Sequence, residues 1–153
     1  MKNDTKNQYV GIVVALAVAG FMFYGMSYIY SQIISKDNKQ ESSMNELKQE
    51  VIVEGSGEVI AEAGDTVYVN YIGTLEDGTE FDNSYKRGEP IVFELGTGRV
   101  IKGWDQGIAG MKVGEKRKLT IPPNLAYGAG GAAPIPPNST LIFQTEMVKI
   151  DKK

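Results

Sequence analysis

The chain has 153 residues, 42% of them hydrophobic and 23% charged, with a formal net charge of −3, which is room for one ordinary domain plus an appendage. It contains no cysteine and no histidine, which removes thiol nucleophiles, imidazole acid–base chemistry, disulfides and the usual zinc sites together, and suits an oxidising compartment. Lys2, Asp4 and Lys6 give the first 35 residues +1, leaving −4 for the rest, so nucleic acid is not an expected partner.

Asn7 to Ser35 is free of charge, and its apolar part from Val10 to Tyr30 would make a helix about 30 Å long, the thickness of a bilayer's hydrocarbon core. The expected organisation is a short tail (1–8), a single transmembrane helix (9–34) and a polar linker (35–50), followed by a folded domain (51–150). Tyr9, Tyr24, Tyr28 and Tyr30 lie toward the ends of the span, where amphipathic rings favour the interface. Ala17-Val18-Ala19 resembles a signal-peptide cleavage site, but cutting there would leave the apolar segment Phe21 to Ile34 as a terminus in water. Retention as an anchor is therefore the expectation. In the linker, Ser43 with Glu46 matches a capping box.

Within the domain, Val51–Val53 and Glu58–Ile60 read as short strands. Val67, Val69, Tyr71 and Leu75 alternate as the core face of a longer one, and Asp77-Gly78 turns it into Thr79–Asp82. Asn83 to Glu89 reads as a loop before the strand Pro90–Leu95. Ile101, Trp104, Ile108 and Met111 recur at helical spacing, although glycines at 98, 103, 107 and 110 weaken that helix intrinsically. Lys116–Ile121 is a strand stopped by Pro122-Pro123, and its Lys116-Arg117-Lys118 cluster reads as a solvated face. A glycine- and alanine-rich loop then leads to a last strand, Thr140–Ile150, with Leu141, Phe143, Thr145 and Met147 inward. These elements predict an α+β domain: a twisted antiparallel sheet of about five or six strands wrapped around one short helix.

Gly98 and Gly103 have the spacing of a phosphate loop, but Trp104 stands where lysine is needed. No carboxylate spacing singles out an acid–base pair. What remains is an aromatic and aliphatic set: Tyr71, Phe81, Phe93, Ile101, Trp104, Tyr127 and Phe143, with Asp82 among them. On pattern alone Trp104 is either an ordinary core plug or the floor of an apolar pocket.

The motifs Val69-Asn70-Tyr71-Ile72-Gly73, Asp77-Gly78-Thr79-Glu80-Phe81-Asp82, Val100-Ile101-Lys102-Gly103-Trp104, Met111–Lys116 and Ala126-Tyr127-Gly128 closely resemble the FKBP-type peptidyl-prolyl cis–trans isomerases, in order from about Val51 to Ile150. The resemblance implies a pocket between helix and sheet, with Trp104 as floor and Tyr71, Phe81, Phe93, Ile101 and Phe143 as walls. It further implies that Val100 and Ile101 offer backbone groups, that Tyr127 offers a hydroxyl to a substrate carbonyl, and that Asp82 faces the twisted amide, positioned by Tyr71 and Arg87. Proline-containing polypeptides and rapamycin-class macrolides are the implied partners, and neither metal nor cofactor is implied. A groove that grips proline segments without turnover is the alternative. Ile91 departs from the phenylalanine of many relatives, and the loop Ala129–Pro134 is small-residue and short. With the N-terminal span, the expectation is a single-pass membrane protein whose isomerase domain is extracytoplasmic.

Overall fold

The computed structural model describes residues 25–34 and 45–153. The tail 1–8, the greater part of the expected span and residues 35–44, Ser43 of the expected capping box included, lie outside the described residues. Residues 25–34 are helical, and Met26, Tyr28, Ile29, Tyr30, Ile33 and Ile34 are exposed on that helix. Among the described residues no helix is long and apolar enough to cross a membrane. The chain divides into two compact units, Met1–Ser43 and Met44–Lys153.

The second unit is built on strands β1 (Lys48–Val53), β2 (Thr66–Leu75), β3 (Glu80–Asn83), β4 (Ile91–Glu94), β5 (Lys116–Ile121) and β6 (Leu141–Asp151). They form one antiparallel sheet in the order β1-β5-β6-β2-β3, and β4 shares with β3 the far edge of β2. Period-two patterning sets which face is buried. Val67, Val69 and Tyr71 of β2, Leu119 and Ile121 of β5, and Leu141, Phe143, Thr145 and Met147 of β6 all point into one core. Helix α2 (Lys102–Ile108) fills the concave side of the sheet, after a shorter α1 (Ser84–Arg87) between β3 and β4.

Three expectations are corrected. Glu58–Ile60 is not a strand; its segment holds to the turn before β5 through the Ile60–Lys112 bridge and the bonds from Gly57 N–H to Val113 O (3.4 Å), from Ala61 N–H to Met111 O (2.9 Å) and from Gly110 N–H to Ala61 O (2.8 Å). The segment Asn83–Glu89 is not all loop: the Asn83 side chain accepts from the Tyr85 and Lys86 amides (3.0 and 3.3 Å), starting α1, and Gly88 at φ 80 ends it. Lys116-Arg117-Lys118 is not a uniformly solvated face, because Arg117 is in phase with Leu119 and Ile121 and is buried.

Candidate functional site

Helix α2 rests directly on β5. A Cβ on Gly103 would lie 2.3 Å from Ile121 Cγ2, and one on Gly107 would lie 2.7 Å from Leu119 Cδ1, so only glycine lets the helix backbone come this close to those side chains. The glycines that weaken the helix intrinsically are what seat it. Its ends are tied by side chains. At the N-terminal side the Asp105 carboxylate accepts from the amides of Gly96 and Gly98 (both 2.9 Å). At the C-terminal side the Arg117 guanidinium donates from Nη1 to Gly107 O (2.8 Å), Ala109 O (3.2 Å) and Gln49 Oε1 (3.0 Å). The Gly107 and Ala109 carbonyls are ones that a helix end leaves without an intrahelical partner, met by a cation where the dipole favours one. Glu115, itself buried, accepts from Arg117 Nε (2.8 Å) and from the Lys112 amide (3.0 Å).

So held, Trp104 presents its ring to the sheet's concave face, 97% buried. Tyr71 and Phe143 stand edge-on to it at 4.9 and 5.2 Å between ring centres, and Phe81 is edge-on to Phe143 at 5.5 Å, the geometry that aromatic quadrupoles favour. Gly73 makes the arrangement possible, since a Cβ there would lie 2.8 Å from both the Phe81 and Phe143 rings. Above the indole is an open cavity of about 260 Å³, lined by Tyr71, Phe81, Asp82, Ile91, Arg99, Val100, Ile101, Trp104, Tyr127 and Phe143. The Trp104 indole N–H is buried without a hydrogen-bond partner among the described residues, a polar group left unsatisfied at a cost of about 1–3 kcal/mol.

The rim carries one connected polar group. Tyr71 donates its hydroxyl hydrogen to Asp82 Oδ2 (2.5 Å) and accepts from Arg87 Nη2 (2.9 Å). Asp82 Oδ1 accepts from the Asn83 amide (2.8 Å) and pairs with Arg87 Nη1. Arg87 also lies over the Tyr71 ring, 5.3 Å from its centre. Burial, then the bond to Asp82, pushes the Tyr71 hydroxyl above its ordinary value of 10.0, so it stays protonated and donating at neutral pH. The bond to Tyr71 likewise raises Arg87, keeping it a cation. Helix α1 is what brings Arg87 back over β2, and Ser84, fully buried, ties it there by accepting from the Tyr71 amide (2.8 Å).

The residues picked from the sequence therefore converge, with two placed differently from the rest. Phe93 packs against Trp104 at 5.8 Å between ring centres and does not line the cavity, and Arg87 stands outside the lining and reaches it through Asp82. Tyr127, at the start of a 3-10 turn, is 44% exposed with no partner for its hydroxyl among the described residues. Two lining residues were not among those picked: Ile91 and Arg99. The outward-facing polar run of Arg99 carries no periodic signal; its adjacency to Val100-Ile101 was the available clue.

An antiparallel sheet closed on a short helix, with an open aromatic cavity floored by one tryptophan, defines a domain that takes an apolar group from a larger ligand. Its kinship is specific. Residues 57–148 match the family model for FKBP-type peptidyl-prolyl cis-trans isomerase, and the chain belongs to that family. FK506-binding protein 2 of Yarrowia lipolytica is 72% identical over 92 residues, a match spanning 60% of this chain and 64% of that protein. FK506-binding protein 1A of Neurospora crassa is 58% identical over 107 residues, spanning 68% of this chain and 88% of the relative. The crystal structure of AtFKBP13 superposes with a TM-score of 0.64 at 44% identity, covering 70% of this chain and 93% of that one.

Proposed function

We propose that the chain is a peptidyl-prolyl cis–trans isomerase that accelerates X–Pro rotation in polypeptide clients and so assists their folding. The observation that carries this reading is the cavity over Trp104 with the Tyr71–Asp82–Arg87 group at its rim, in a chain of this family. Amide resonance sets a barrier of about 18–20 kcal/mol to rotation, and no bond has to be made or broken. A twisted amide has lost its resonance and much of its charge separation, so an apolar, largely dry cavity holds it better than it holds the planar ground state. The proline ring sits on Trp104 between Tyr71, Phe81 and Phe143, while backbone groups of Val100 and Ile101 hold the peptide. Tyr127 donates its free hydroxyl to a substrate carbonyl, and Asp82, fixed by Tyr71, Arg87 and the Asn83 amide, faces the turning amide. Phe93 supports the indole from behind. FK506- and rapamycin-class macrolides, with a proline-like ring and adjoining carbonyls, would compete for the same cavity. In an exchange assay on a proline peptide, the full-length chain is expected to raise the isomerisation rate, and such a macrolide to abolish the increase. Peptide binding without acceleration would reduce the site to a gripping module.

For the remainder of the chain the reading is an anchor at 9–34 and a tether from residue 35 to the start of β1, which is earlier than the expected boundary at 50, that hold the isomerase domain on the extracytoplasmic side. It is supported by the charge-free run Asn7–Ser35 and the lack of cysteine, and by the apolar side chains exposed on helix 25–34. Retention in membranes after alkaline carbonate washing, with the domain protected from protease until the compartment is opened, is the expected result. Release by the wash would overturn the anchor.

A further inference from the structure

We propose that Arg99 makes the site selective for proline segments that carry an acidic side chain within two residues of the proline; this rests on the isomerase reading of the cavity. Among the described residues, the charged residues that line the cavity are Asp82 and Arg99. Asp82 is committed: Arg87, the Tyr71 hydroxyl and the Asn83 amide occupy its two oxygens, and Arg87 cancels its charge. Arg99 is not. Its side chain is exposed and has no hydrogen bond or ion pair among the described residues. The nearest carboxylates along the chain are Glu94, which stands 4.0 Å from Lys153, and Asp105, which accepts from the amides of Gly96 and Gly98 (both 2.9 Å), and neither pairs with Arg99. Arg99 is therefore the charged side chain of the lining that has no ion-pair partner among the described residues.

Position makes that charge selective. Arg99 directly precedes Val100 and Ile101, the lining residues whose backbone holds the peptide in the proposed mode, and the exposed Lys102, also without an ion pair among the described residues, directly follows them. A peptide seated along Val100-Ile101 passes the Arg99 cation, which lines the cavity beside them. A glutamate or aspartate beside the proline gains a partner there, and a lysine meets repulsion. Because the site is open to solvent, the effect is modest and screened by salt.

The test uses the full-length chain and two sets of peptides identical but for Glu or Lys at the positions flanking the X–Pro pair, with kcat/KM read by an exchange assay that needs no protease. At low ionic strength the Glu peptide is expected to be favoured roughly two- to fivefold, and the ratio to approach one near about 0.5 M salt. Arg99→Gln should bring the low-salt ratio close to one, and Arg99→Glu should invert it. A wild-type ratio of one at low salt, or a ratio that Arg99→Gln leaves unchanged, overturns the proposal. If no peptide is turned over but the quenching of Trp104 fluorescence shows Glu-selective binding lost in Arg99→Gln, the selectivity stands and the catalytic reading falls.

Discussion

Two arginine–carboxylate pairs support the site, one at the cavity's rim and one under the far end of α2, and they differ in the surroundings that decide what an ion pair does. Arg87–Asp82 sits at the rim with its side chains 42% and 41% exposed, whereas Arg117–Glu115 is closed in beneath the end of α2 at 11% and 5%. Exposed pairs contribute about 0–1 kcal/mol to stability, because water competes and the side chains lose freedom. Breaking a buried pair from one side costs about 3–5 kcal/mol, because the remaining charge is stranded. The rim pair can thus be altered at small cost to the fold, and the buried pair holds the helix that carries the floor. The same chemistry is put to opposite uses by depth alone.

The comparison breaks most visibly at Arg117. Arg117→Met strands Glu115 and the carbonyls of Gly107 and Ala109, and urea unfolding should show a loss of about 3–5 kcal/mol. Adding Glu115→Gln should restore part of it, since the stranded charge goes. At the rim, Asp82→Ala should move stability by no more than about 1 kcal/mol while lowering kcat/KM about tenfold or more, the scale on which a positioned electrostatic group acts. Unchanged activity would remove Asp82 from the mechanism. Tyr127→Phe is expected to cost several-fold in kcat/KM and to leave the unfolding midpoint in place, because that hydroxyl has no partner to lose. The smallest effect concerns Tyr85 on α1, which donates to Glu146 Oε2 (2.6 Å). Burial, then that bond, pushes its hydroxyl up to about 12 from an ordinary 10.0. The folded state therefore prefers the protonated form, and this contribution is whole below about pH 10 and lost as pH rises through about 12. A titration followed at 295 nm should place Tyr85 above an ordinary tyrosine, and Glu146→Gln should bring it down with little change in activity.

Much of this was legible from residues alone, for a physical reason. Val67-Val69-Tyr71 and Leu141-Phe143-Thr145-Met147 alternate cleanly because one face of the sheet is wet and the other buried, and Trp104, Ile108 and Met111 are all buried as their spacing implied. Helix α1 escaped because its 4 residues are too few for any period to show; only its ends, Asn83 and Gly88, announced it. Arg117 was misread because a Lys-Arg-Lys run looks solvated. Phase was the better guide: two and four residues on, Leu119 and Ile121 face the core, so Arg117 had to face it too. Ile91 and Arg99 enter the cavity from separate segments, a convergence that no local pattern encodes.

The contact of Gly103 and Gly107 with β5 has one more consequence. With no side chain of its own at these two positions, the helix rests its backbone on the Ile121 and Leu119 side chains, and substitution at those glycines cannot tune the height of the indole without lifting the helix. One wall of the cavity is therefore a datum. Diversity in what the site accepts has to be written on the opposite side, in the short segments that carry Asp82, Ile91, Arg99 and Tyr127, where a residue can change without the floor moving.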